Sequence, residues 1–363
     1  MKALIPRIIG AGLNTLAYVA PAKTAHLGFE LFCKPLRVPI NQKQKSFLDT
    51  ALQESFEHNG IKIQTYRWGT GVKKILLLHG WQSHTYRWKI YIEELSKHYT
   101  VYSLDAPGHG LSGGDQLNVP LYSEVIEAQM KRIGKVDAMI THSLGGFSTF
   151  YTFYRNPQLT ADKIITLASP GEAAEFFDFF TRMLRLSDKT TQLITKRFID
   201  IFQKTPSFFS APAFASSLTI PGLIIHDEGD DETPFYHAER IHKAWKKSKL
   251  MKTKGFGHNL KSLEVMKEVV QFVHDPLSAH FNDEMELLPL PVKSGDLIRV
   301  SLPNCGDLPV AGETVWARVG EVRSQDKVVA SLESNPVLGS DYEWGDMLSC
   351  DYQEGTLWKL SQN

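Results

Sequence analysis

Hydrophobic and polar positions change period several times along this chain. Ile61-Lys62-Ile63-Gln64-Thr65-Tyr66-Arg67-Trp68 alternates, the period-two mark of a strand with one exposed face. Lys74-Ile75-Leu76-Leu77-Leu78-His79 is instead a continuous apolar run, as in a central parallel strand buried on both faces. Similar runs lie at 100–105, 136–140, 163–167, 221–226 and 249–253. Between them, apolar residues recur at helical spacing: Trp88, Tyr91, Ile92 and Leu95, then residues 119–133, then 144 to about 154. A further helix is expected from Pro234, and another carries Leu260, Leu263, Met266, Val270 and Val273. Strand and helix alternate throughout, which predicts an α/β domain with a mostly parallel sheet. Ligands in such folds bind beyond the carboxyl ends of the strands.

Two stretches break this rhythm. Residues 172–217 read as two or three helices and hold nine of the twenty phenylalanines. They are expected to form a cap, with most rings packing helices and some free to line an apolar acyl pocket. Past Pro276 the pattern changes again. An acidic, proline-bearing linker at 281–291 leads to short alternating runs at 296–302, 314–319, 328–332, 347–352 and 356–358. These predict a small all-β module, a barrel or sandwich with a core around Val300, Trp316 and Val329. The expected organisation is a helical arm at 1–55, an α/β domain at 56–278 and a β module at 284–363.

The arm opens on an apolar stretch broken by Pro6, Arg7 and Asn14, short for a signal peptide and too short to span a membrane. Helices packed on the domain are expected there, in preference to a peripheral membrane anchor. Lys plus Arg and Asp plus Glu both number 40 among 363 residues, so a nucleic-acid-binding function is not expected. Cys33, Cys305 and Cys350 are odd in number and far apart. That argues against a disulfide framework and for a reducing, cytoplasmic setting.

The chemistry starts at Ala138-Met139-Ile140-Thr141-His142-Ser143-Leu144-Gly145-Gly146, where a strand runs into a serine and glycines follow at once. This predicts a tight strand-to-helix turn that lifts a nucleophilic hydroxyl clear of the sheet. Thr141 stands where the usual G-x-S-x-G pattern has its first glycine. A serine needs a base, and the base needs an orienting acid. Asp227, Glu228, Asp230, Asp231 and Glu232 crowd one loop before Thr233-Pro234, which reads as an N-cap with proline at the first helical position.

His79-Gly80-Trp81, the stretch from Asp105 to Ser112, His142 to Gly146, His226 to Pro234, and Gly257-His258 occur in this order, each at a predicted strand end. In this the chain resembles the α/β-hydrolase superfamily over about residues 60–275. The resemblance implies an α/β-hydrolase fold with a helical cap and a Ser-His-Asp triad. It implies Ser143 as nucleophile and His258 as base. It selects Asp230 as acid, ahead of Asp231 and, more distantly, Glu172. It assigns the oxyanion hole to the backbone N–H groups of Trp81 and Leu144. His79, His109 and His226 are expected to be structural, and His142 to point away from the hydroxyl.

No cofactor is expected. Gly108-x-Gly110-x-x-Gly113 fits a dinucleotide fingerprint, but no helix opens at it to hold a pyrophosphate. No metal is expected either, since the acidic loop does not match a calcium loop. The expected activity is hydrolysis of small apolar carboxylic esters through an acyl-enzyme. Thioesterase, amidase, C–C hydrolase and acyltransferase activities stay open. So does a catalytically inactive scaffold that acts in binding. The β module resembles small β-rich domains of uncharacterised bacterial proteins and is expected to be an accessory domain, for contacts with proteins or for stability, rather than to catalyse.

Overall fold

The computed structural model describes residues 4–275, 294–295, 297–302, 313–324, 327–332, 346–353 and 357–360. The 281–291 linker and Cys305 lie outside these residues, as does the side chain of Trp316.

Eight strands form one mixed sheet: β1 (Leu52–His58), β2 (Ile61–Trp68), β3 (Lys74–Leu78), β4 (Thr100–Leu104), β5 (Val136–His142), β6 (Ala161–Leu167), β7 (Gly222–Asp227) and β8 (Ser248–Thr253). Their order is β1-β2-β4-β3-β5-β6-β7-β8. β1 and β2 are antiparallel, as are β2 and β4, whereas β3 runs parallel to both β4 and β5. Ile75 to Leu78 are wholly buried at the centre of the sheet, which explains their unbroken apolar run. Burial of each such side chain contributes about 2 kcal/mol.

The arm is α1 (Leu4–Val19), α2 (Pro21–Cys33) and α3 (Gln42–Leu48). β1 starts at Leu52, within the stretch expected to be helical. It is exposed along most of its length, so its sequence carries no buried face to mark it. β2 consequently lies between β1 and β4 rather than at an edge. The remaining helices are α4 (Lys89–Leu95), α5 (Val119–Ile133), α6 (Leu144–Arg155), α7 (Ala173–Leu184), α8 (Asp188–Phe202), α9 (Ala211–Ala215), α10 (Tyr236–Ala244) and α11 (Leu263–His274).

α7, α8 and α9 fall in the insertion between β6 and β7. Their phenylalanines chiefly pack helices together. Phe177 and Phe180 meet Phe32 of α2, while Phe198 and Phe202 meet Phe29. Phe214 packs on Phe147, Tyr151 and Tyr154 of α6. The arm is thereby fastened to the insertion through aromatic edges.

β9 (Leu297–Leu302), β10 (Glu313–Ser324), β11 (Lys327–Leu332), β12 (Met347–Gln353) and β13 (Leu357–Leu360) close a small barrel in the order β10-β11-β12-β13-β9. Its core includes Ile298, Val300, Ala317, Val319, Val328, Ala330, Leu332, Leu348 and Cys350. Val300 is a core residue, as expected, but Val329 is only half-buried. The inward set on β11 is Val328, Ala330 and Leu332, one residue out of step with the expected one. By its contacts the chain divides into two units. One runs to Thr219 and takes in Ile224–Lys246 and Leu250–Leu260. The other is Ile220–Leu223, Lys247–Lys249 and the chain from Lys261 on.

Candidate active site

β5 ends at His142 and α6 begins at Leu144, leaving Ser143 alone to make the turn. Its backbone sits at φ 50° and ψ −123°, a conformation that costs an L-residue energy and is held by its surroundings. Ser143 N–H donates to Leu167 O of β6 at 2.9 Å, and Ser143 O accepts from Gly146 N and Phe147 N. Thr141 strains nothing at the position usually held by glycine. Its hydroxyl donates to Ile165 O at 3.0 Å, along the neighbouring strand. Glycine is required at 145 instead, where a Cβ would come within 2.6 Å of Leu78 O. It is also required at 80, where a Cβ would lie 2.8 Å from that of Ser143. The His79-Gly80-Trp81 turn therefore runs directly against the serine.

Three residues distant in sequence meet here. His258 Nε2 lies 3.1 Å from Ser143 Oγ, and His258 Nδ1 lies 2.8 Å from Asp230 Oδ2. Asp231 is exposed and Glu172 is engaged elsewhere, by Ser210 and Arg240. The reason Asp230 is well placed differs from the expected one. α10 starts at Tyr236, so Thr233 and Pro234 are not its cap and first residue. Asp230 Oδ1 instead accepts from Glu232 N (2.9 Å) and Thr233 N (2.8 Å), tightening its own loop. Thr233 Oγ1 donates to Oδ2 at 2.7 Å. Asp227, at the strand end, serves the same region by accepting from Gly229 N, Phe256 N and Thr253 Oγ1.

Burial opposes ionisation of Asp230, but donors from His226, His258 and Thr233 outweigh it and hold the carboxyl well below the usual range. His226 Nε2 is 2.6 Å from Thr233 O and 3.2 Å from Asp230 Oδ2. Both are acceptors, so this nitrogen carries the proton. His226 thus touches the candidate acid, a contact its position at the end of a buried strand did not reveal.

His142 is also more engaged than expected. Its Nε2–H donates to His258 O at 2.9 Å, and its ring meets the His258 ring edge to face at 4.9 Å. Burial, reinforced by Arg87 and His258, lowers its pKa well below the ordinary histidine value, so the ring is neutral. Arg87 Nη2 donates to Asn259 O at 3.1 Å. Burial pushes the pKa of this arginine down to about 10. Two side chains thus hold consecutive carbonyls of the His258 loop. No sequence pattern marks them, because they bond backbone rather than a complementary side chain.

His79 and His109 hold turns. His79 Nε2 accepts from Ala106 N, and His109 Nε2 accepts from Gln82 N. Burial keeps His79 neutral too, with its pKa well below the ordinary value. Asp105 gathers Tyr66 Oη, Thr85 N and Leu111 N. Leu144 opens α6, so its N–H has no partner one turn back in the helix. With Trp81 it lies on the two sides of the close approach between Gly80 and Ser143.

This architecture has known counterparts. Residues 75–258, just over half of the chain, match the alpha/beta hydrolase family. The pimeloyl-[acyl-carrier protein] methyl ester esterase of Aliivibrio fischeri (strain ATCC 700601 / ES114) is 30% identical over 121 residues, which are 33% of this chain and 46% of the relative. The Salmonella newport (strain SL254) esterase of the same name is 31% identical over 113 residues, 31% of this chain and 42% of the relative. The chain thus spans under half the length of these relatives. Among solved structures, Lip1 from Acinetobacter baumannii AYE superposes with a TM-score of 0.51 at 17% identity, covering 66% of this chain and 95% of its own. A membrane phospholipase A superposes at 0.50 with 14% identity, covering 73% and 95%. At such identities these two speak for the fold alone. With the family match covering β3 to β8, the elbow and the histidine loop together, the chain belongs to the α/β hydrolase family.

Proposed function

We propose that this hydrolase cleaves carboxylic esters of small apolar acyl groups through an acyl-enzyme on Ser143. The observation that carries this reading is the unbroken line Ser143 Oγ, His258 Nε2, His258 Nδ1, Asp230 Oδ2, with steps of 3.1 and 2.8 Å. Asp230 is an ionised acceptor, so His258 Nδ1 carries the proton and Nε2 is left as the base. His258 takes the Ser143 proton as Oγ attacks the acyl carbon. The tetrahedral oxyanion is received by the N–H groups of Trp81 and Leu144. His258 then protonates the departing alcohol, and a water activated by the same nitrogen releases the acid. The esterase names of the curated relatives support an ester as substrate. Cys33 and Cys350 are buried and free, which supports a reducing, cytoplasmic setting.

The test is labelling by a fluorophosphonate, followed by turnover of p-nitrophenyl butyrate. Labelling that maps to Ser143, with butyrate hydrolysis, is the expected result. A protein that folds but neither labels nor hydrolyses any short ester is a binding scaffold, and the reading fails.

A further inference from the structure

α1 is apolar on two sides, and only one of them is covered. Gly10, Leu13 and Ala17 are buried. Asn14 fixes the helix in place by donating to Arg185 O at 3.0 Å and accepting from Ser187 N at 2.8 Å, at the α7–α8 turn. The opposite side carries Ile5, Ile8 and Val19, which are 63%, 62% and 77% exposed, with Ile9 beside them. At 100° per residue these fall on one stripe along the helix. α7, which packs against α1, also exposes Phe179 and Met183, one turn apart.

We propose that this outward face of α1 docks on the surface of a bilayer containing anionic lipid. Three observations select a lipid surface over a protein partner. First, the stripe offers no free side-chain donor. Thr15, its one polar residue, already donates to Ala11 O, whereas protein interfaces carry a hydrogen bond roughly every 100–200 Å². Second, the charges suit anionic headgroups: beside α1, residues 178–189 expose Asp178 and Asp188 against Arg182, Arg185 and Lys189, and the arm itself is basic. From Leu4 to Phe29 the chain carries exposed Arg7 and Lys23 and no carboxylate. The first acid, Glu30, lies 3.3 Å from His26. Third, Tyr18, 70% exposed beside the stripe, has the Lys189 ammonium 4.0 Å from its ring centre, an aromatic–basic pair of the kind that suits the headgroup region. The helix has 16 residues, and among the described residues no helix is long and apolar enough to cross a membrane. The contact is therefore one of lying on the surface. It is independent of the proposed ester hydrolysis.

Sedimentation of the full chain with large vesicles tests this. Vesicles of equimolar phosphatidylcholine and phosphatidylglycerol should carry the protein down, and pure phosphatidylcholine should do so less. The Ile5→Asp/Ile8→Asp variant should bind at least about tenfold more weakly while keeping its circular dichroism and its rate on a soluble ester. Val19→Asp gives the same test from the other end of the stripe should that variant fold poorly. Arg7→Glu/Lys23→Glu should abolish the preference for phosphatidylglycerol. The proposal is overturned if the wild type sediments with neither vesicle, or if the aspartate variants bind as well as wild type. It is equally overturned if light scattering shows a dimer that Ile5→Asp/Ile8→Asp dissociates, because the occupant is then a second copy.

Discussion

The imidazole of His142 donates to the backbone carbonyl of His258 across 2.9 Å, while its neighbour Ser143 lies 3.1 Å from the His258 side chain. The residue beside the candidate nucleophile therefore fixes the peptide that carries the candidate base. In the proposed mechanism, this backbone bond helps to fix the distance over which the proton moves.

His142→Ala should lower kcat by roughly tenfold to a hundredfold with little change in KM, because a misplaced base costs rate and not ground-state binding. His142→Gln keeps a donor near the same place and should recover most of the loss. Steady-state kinetics on p-nitrophenyl butyrate check both. Equal loss in the two variants would mean that the ring only fills space.

The three residues in line make a sharper prediction. Ser143→Ala and His258→Ala should each reduce turnover by roughly 10⁵-fold, and Asp230→Asn by roughly 10⁴-fold. Asp231→Asn should change it by less than about twofold, since Asp231 is exposed and Asp230 takes the bond to His258. Reversed effects of the two aspartates would overturn the choice of acid.

The sheet was legible in the sequence wherever burial on both faces left an unbroken apolar run, as at Ile75–Leu78. It was not legible at β1, whose residues are mostly exposed and follow no period. Val329 shows a related ambiguity. In Val328-Val329-Ala330 the apolar residues are consecutive, so either parity could face the barrel core, and only pairing with β10 and β12 decides it. The candidate site was legible as far as motifs at strand ends reach, namely Ser143, His258 and the acidic loop. Its support was not. His142, Arg87 and His226 act through contacts spanning from four to 172 residues, and all three bond to carbonyls that every residue possesses. The loop of Asp230 was read through a helix cap that forms two residues later. The aspartate holds the loop by its own bonds to Glu232 N and Thr233 N.

Acid should destabilise the fold through His79 and His142. Burial is the first cause of the lowered pKa at both, so the folded protein resists protonating them. The unfolded chain takes up those protons below about pH 6.5. With more protons on the unfolded side, stability rises with pH between the folded and unfolded values and falls as pH drops through that window. Tm should therefore fall between about pH 7.5 and about pH 5.5. His142→Gln removes one of the two groups and should flatten the fall. An unchanged slope would show that His142 does not contribute.

The barrel poses the last question, whether it takes part in the reaction. Every group in the proposed mechanism lies between Trp81 and His258, and residues 284–363 contain no histidine to act as a base. The barrel also has a core of its own, from Ile298 to Cys350, and its strands pair in a closed ring. A closed ring leaves no open sheet edge to be completed by another element. We therefore propose an accessory role for it, in stability or in contacts with other proteins. Ending the chain after Pro276 should leave a protein that hydrolyses p-nitrophenyl butyrate with kcat/KM within about threefold of the full chain. Thermal unfolding and the rate should be measured on the same sample. A truncated protein that unfolds cooperatively yet has lost all turnover would place the barrel in the reaction, and the accessory role would fall.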